Sequence, residues 1–318
     1  MDRIPHTTPV SWSATEGRFA SSIQTDSHDD CVVCLIGLPD DLGVRLNNGR
    51  EGTAMGPGAI RGALSRSGTT FDALRGRPLA TRVYDAGDVQ PVEGSDARAL
   101  ERTHDRVAEA LRAIHEIGMV PICLGGGHDL TLASVRALSQ HSQAPLGGIN
   151  LDAHLDVRET PGSGMPFRSL IESGCLDPMR HTTLGVGRFA NAREHLEWLE
   201  SQGGSVVPVE SVLTHTSGTI KEAMGRMSSG NAPDAPCFVT FDLDAIDSSQ
   251  APGVSASNPM GVRVEHAMEL ARRASRDPRV RHLDIMELNP RFDVDDRTAR
   301  LAALLVLTIV SGIEDRYT

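Results

Sequence analysis

Eight short apolar runs, spaced along 318 residues by helix-like stretches, constrain this chain more than any other feature. The runs are Cys31–Gly37, Arg82–Asp85, Val120–Leu124, Leu146–Leu151, Thr183–Val186, Ser205–Pro208, Cys237–Phe241 and His282–Met286. Helical spacing lies between them, over Ala97–Ile117, Ala192–Ser201, Val264–Ser275 and Thr298–Val310. Strands that alternate with helices imply βαβ crossovers, and so an α/β fold with a parallel sheet covered on both faces. No repeat or low-complexity linker divides the chain, so one domain is expected over 31–318. Residues 1–30 are rich in Ser, Thr, Asp and His without periodicity and read as a loose arm.

Composition narrows the function. A net charge of −11 argues against nucleic acid as the main partner. The apolar run Leu301–Val310 is shorter than the roughly 18 residues that span a bilayer, and reads as a buried helix. No charged and apolar leader opens the chain, so a cytoplasmic protein without membrane partners is expected. Five scattered cysteines make no disulfide framework, and the Cys31–Cys34 pair sits in an apolar run that suits a core strand. Lys221 is the only lysine and lies far from any motif, which excludes Schiff-base chemistry and the lysine-containing phosphate loop.

In open parallel sheets, ligands bind beyond the carboxyl ends of the strands. Three strand ends here carry oxygen and imidazole donors. Val120–Leu124 runs into Gly125-Gly-Gly-His128-Asp129, Leu146–Leu151 into Asp152-Ala-His154-Leu-Asp156, and Cys237–Phe241 into Asp242-Leu-Asp244-Ala-Ile-Asp247. If the segment after Leu151 stays extended, Asp152, His154 and Asp156 at alternate positions converge on one place. Any one of these residues could be a cap or a turn. Six together cannot, because a like-charge pair at about 4 Å costs roughly 4 kcal/mol at an effective dielectric near 20. Two divalent cations would cancel the four negative charges. Carboxylates and imidazoles without thiolate favour a hard ion such as manganese. A pair of such ions about 3.5–4 Å apart can share a water and bring its pKa towards 7, which suits hydrolysis at an electrophilic carbon.

The three motifs, in this order and spacing, resemble the metal-binding signatures of the ureohydrolases (arginase, agmatinase, formimidoylglutamase). The resemblance runs from about Cys31 to the C-terminus. It implies a three-layer αβα fold with an eight-stranded, mainly parallel sheet, and two Mn2+ per subunit in a homo-oligomer, a trimer or hexamer. On that pattern Asp152 and Asp242 bridge the ions, His128 and Asp156 complete one site, and His154 and Asp244 the other.

Local features choose within the family. Leu283-Asp-Ile-Met-Glu287-Leu-Asn-Pro290 is similar to the segment whose Glu pairs with a guanidinium or amidinium group, a charge-assisted contact. Arg158, two residues after Asp156, offers a planar fork suited to a carboxylate. Ser163 stands where arginases and agmatinases carry a histidine, and Ser163-Gly-Met-Pro-Phe-Arg168 resembles the formimidoylglutamase pattern. So do the stretches Arg45–Arg61, Ala251–Pro259 and Glu287–Ala303. The expected reaction is hydrolysis of N-formimidoyl-L-glutamate to L-glutamate and formamide, in histidine degradation. Glu287 would orient the amidinium, Asp156 would pass a proton to the leaving nitrogen, and Arg158, Ser163 and Arg168 would contact the substrate. The alternative is a guanidino acid hydrolysed to urea, for which one arginine would suffice.

Overall fold

A computed structural model describes residues 4–13, 16–229 and 235–317. Each of the eight apolar runs forms a strand: β1 Val33–Gly37, β2 Val83–Val89, β3 Val120–Leu124, β4 Leu146–Leu151, β5 Leu176–Val186, β6 Ser205–Pro208, β7 Cys237–Asp242 and β8 Val280–Met286. They lie parallel in the order β2-β1-β3-β8-β7-β4-β5-β6. Strands β1, β3, β4 and β7 are buried throughout, as strands covered on both faces must be. The longest strand, β5, starts seven residues before the apolar run that signals it. Its first half is polar and contains Pro178, so only its end looks like a strand in sequence.

Helices cover both faces. On one side α3 (Ala97–Glu116), α4 (Leu130–Ser142) and α5 (Pro166–Glu172) pack in succession. On the other, α9 (Arg297–Glu314) packs on α8 (Val264–Arg276) and α2 (Gly56–Ser67), and α7 (Val209–Met227) on α8. The short α1 (Leu42–Leu46) and α6 (Arg193–Ser201) follow strand ends. Helix α9 contains the Leu301–Val310 run and buries most of it. No described helix is long and apolar enough to cross a membrane. Cys34 is fully buried in β1, Cys31 precedes it half-buried, and both are free thiols.

Of the stretch expected as a loose arm, residues 1–3 and 14–15 lie outside the described residues, and parts of the rest are tied to the sheet edge and to α2. Thr7–Thr8 pairs with the end of β2, and Ile23–Gln24 with its start. Ile4 and Phe19 are buried, and the Trp12 indole donates to Asp85 at 2.9 Å. Isolated apolar residues without a period anchor this segment, and periodicity does not detect them.

The last turn of α9 fastens the 71–81 segment to the body through Glu314. Its carboxylate meets Arg77 Nη1 at 2.6 Å and accepts from the amides of Ala80 at 2.7 Å and Thr81 at 2.8 Å. Burial alone would raise its pKa, but these amides and the Thr81 hydroxyl hold it below the usual range. Glu314→Gln should cost about 1–3 kcal/mol in urea unfolding at pH 7. A carboxylate whose folded pKa is depressed stabilises above its unfolded pKa and loses that contribution as pH falls. The gap between wild type and variant should therefore narrow below pH 5.

Candidate active site

Strands β3, β8, β7 and β4 are consecutive neighbours at the middle of the sheet, and each ends in a candidate functional residue. Register aligns them: Phe241 pairs with Leu151 and Asp242 with Met286, so Asp152, Asp242 and Glu287 emerge side by side. The loop after β3 passes close to two other strand ends. A Cβ on Gly126 would collide with the carbonyl of Asp40, and one on Gly125 with Met286. Only glycine allows that approach, and it delivers His128 onto the strand ends.

Two clusters result. His128, Asp152, Asp156 and Asp242 place one donor atom each within 4.8 Å of one another, and so do Asp152, His154 and Asp244. His128 Nδ1 lies 3.3 Å from Asp152, 3.0 Å from Asp156 and 3.2 Å from Asp242. His154 Nδ1 lies 3.4 Å from Asp152 and 3.3 Å from Asp244. Asp152 belongs to both clusters and turns a different oxygen to each. Asp242 groups with the first cluster only. On the far side of the ring, His128 Nε2 is 3.0 Å from the Thr240 hydroxyl. Donation there leaves Nδ1 as the free lone pair, a common arrangement behind metal-binding imidazoles.

The expected extended segment after Leu151 is not observed. Strand β4 stops at Leu151, and Asp152 Oδ1 accepts the His154 amide at 2.6 Å in a tight turn. Asp242 does the same for Asp244 at 2.7 Å. Asp156 then takes a left-handed φ of 50°. Convergence comes from turns and not from strand alternation, because a buried carboxylate beside a free amide closes the turn first. Glu287 is also left-handed, at φ 67°. Non-glycine residues hold such angles only where the surroundings fix them, and both are candidate site residues.

The electrostatics fit cations. Burial raises the carboxyl pKa of Asp156 to about 6, that of Asp244 upward, and that of Asp242 well above the usual range; neighbouring carboxylates add to each. Burial would lower His128, yet its three carboxylate neighbours push it well up. Glu287 is pushed up to about 8 by burial and by Asp244. Its Oε1 accepts the His128 amide at 2.9 Å, while Oε2 accepts no hydrogen bond among the described residues. Asp244 Oδ1 and His128 Nδ1 are likewise buried without a hydrogen bond among the described residues, the latter facing carboxylate oxygens as a lone pair would face a cation's site. The donors suit two divalent ions of the manganese type.

A cavity of about 200 Å³ opens over the clusters, lined by His154, Asp156, Asp242, Asp244 and Glu287 on its floor. Arg158 and Ser163 line it too. Residues 31–312 match the arginase family. The chain belongs to that family. Formimidoylglutamases from Ralstonia nicotianae and Aromatoleum aromaticum are 34% and 35% identical to it over 89% of this chain and 85% and 84% of theirs. The crystal structure of Trypanosoma cruzi formiminoglutamase with Mn2+ superposes with a TM-score of 0.85 at 27% identity, covering 94% of this chain and 99% of the other.

Within this arginase-family cavity, one expected residue is absent. Arg168 does not reach it. Its guanidinium bonds Glu159 at 2.9 Å and Glu172 at 3.0 Å and lies 4.4 Å over the Trp198 ring, a set of partners that holds it on the outer side of α5. Sequence reasoning missed Asn47, which accepts from Arg158 and donates to Ser163 at 3.2 Å. It also missed Asn191 and His195 on the cavity wall. A lone His in an amphipathic helix carries no local signal.

Buried carboxylates facing one another make the fold responsive to cations. Manganese at a hundred times its Kd should stabilise by about 2.7 kcal/mol per site. Chelator-treated protein should therefore melt lower and recover in steps as Mn2+ is titrated by calorimetry. An unchanged Tm would contradict the site.

Proposed function

We propose that the chain is a formimidoylglutamase, hydrolysing N-formimidoyl-L-glutamate to L-glutamate and formamide in histidine degradation. One observation carries the reading: two ligand sets that share Asp152 open on the same cavity as Glu287 and its unpartnered oxygen. The formimidoylglutamases at 34% and 35% identity support the choice of substrate. In this reading His128, Asp152, Asp156 and Asp242 would hold one manganese ion, and His154, Asp244 and Asp152 the other. The pair, when bound, supplies an acidified water as the nucleophile.

The chain's own residues do the rest. Glu287, fixed by the His128 amide, offers Oε2 to the formimidoyl nitrogen and orients the carbon over the clusters. Arg158, with one nitrogen engaged by Asn47, presents its remaining N–H groups to a substrate carboxylate. The water oxygen bonds to the formimidoyl carbon and gives a proton to Asp156 on the cavity floor. The bond to the glutamate nitrogen then breaks as Asp156 returns that proton to the leaving nitrogen, and the carbon keeps the oxygen as formamide. Ser163, held by Asn47, lines the same side. As parts of the same proposal, residues 31–318 act as one catalytic domain, and the enzyme works in the cytoplasm as a trimer or hexamer.

A guanidino acid is the second reading, favoured by one observation: with Arg168 turned outward, Arg158 is the sole arginine lining the cavity among the described residues. An assay separates the two. With Mn2+, the purified protein should release formamide and glutamate in equal amounts from formimidoylglutamate, and no urea from arginine, agmatine or guanidinobutyrate. Urea from guanidinobutyrate without formamide would replace the proposal. Arg158→Ala should raise KM by about 10–100-fold, the worth of a charged hydrogen bond, with kcat little changed. Asp152→Ala should abolish turnover and the binding of both ions.

A further inference from the structure

The proposed substrate carries two carboxylates, yet among the described residues the cavity offers only one guanidinium, because Arg168 is committed to Glu159, Glu172 and Trp198. Other donors on the wall are mostly spoken for. Asn47 donates to Ser163. Asn191 uses both ends of its amide on backbone, accepting from Leu155 at 2.8 Å and donating to the Ala153 carbonyl at 3.0 Å. His195 is different. It lines the cavity, is partly exposed, and its ring has no hydrogen-bond or ion-pair partner among the described residues.

Its position is fixed from below. Asn191 clamps the backbone on both sides of His154, and the Gly187 amide donates to the same Ala153 carbonyl at 2.9 Å. Helix α6 begins two residues after Asn191, so His195 is carried one turn from a rigid tie to the metal-ligand segment. A side chain so placed meets whatever extends from the reacting centre along that wall.

Resting on the proposed substrate, we infer that His195 is a specificity-determining residue that binds the second carboxylate of the glutamyl group, while Arg158 binds the first. The site thereby selects a dicarboxylate with one arginine and one histidine in place of two arginines.

Steady-state kinetics of the Mn2+-loaded enzyme test this with N-formimidoyl-L-glutamate, its side-chain amide N-formimidoyl-L-glutamine, and inhibition by L-glutamate against L-glutamine. His195→Ala should raise KM for formimidoylglutamate and Ki for glutamate roughly tenfold, the effect of one charge-assisted contact. KM for the amide should stay within about twofold, kcat should hold for both, and His195→Lys should restore the preference. Equal KM values for wild type and His195→Ala would overturn the inference. So would a fall in kcat shared by both substrates with KM unmoved, which would make His195 a proton donor. A wild type that fails to hydrolyse formimidoylglutamate would instead remove the substrate reading itself, before any variant is made.

Discussion

Four carboxylates with buried, mutually facing oxygens are the constraint on which this structure turns. A pair at about 4 Å repels by roughly 4 kcal/mol at an effective dielectric near 20, so the arrangement persists only with compensation. The protein supplies part of it. His128 Nδ1 stands among three of the carboxylates, His154 Nδ1 between the other pairing, and two backbone amides bond inward to Asp152 and Asp242. The compensation is uneven. Asp152 faces both imidazoles and is held below its usual pKa, whereas Asp156, Asp242 and Asp244 are all raised. Asp152 is also the one carboxylate that both clusters share.

Sheet order makes the convergence possible. The ligand-bearing strands are third, fourth and seventh in sequence, with Glu287 on the eighth, yet they are adjacent in the sheet. Neighbouring strands lie about 4.8 Å apart, so four consecutive ends span a width that two ions and a small substrate can bridge. The left-handed backbone at Asp156 and Glu287 is the local cost of turning side chains back over those ends.

Much of this was legible in sequence, for a physical reason. Apolar runs of strand length between helical stretches report burial directly, so the eight long strands were visible, while the two-residue strands Thr7–Thr8, Ile23–Gln24, Phe71–Asp72 and Arg77–Pro78 were not. The ligand motifs are local, and charge alone argued for cations. What stayed hidden is non-local or conformational. Adjacency of β3 to β8 and of β4 to β7 depends on the packing of distant segments. The turn at Asp152 was invisible because strand periodicity does not say where a strand stops. Arg168 was misplaced because two glutamates and a tryptophan compete for it, and one of these, Trp198, lies thirty residues away in sequence.

The cavity has two parts built by different means. Its floor comes from strand ends locked by register, where a shift of one residue would disperse the ligands. Its wall comes from α1 and the loop after it, the 158–163 loop, the segment entering α6 and Ser255–Ala256, tied to the floor by bonds such as those of Asn191. If the proposed roles hold, chemistry at the carbon rests on the sheet that fixes the ligands, and selection among carboxylates rests on Arg158 and His195, which are held on the wall and outside the sheet.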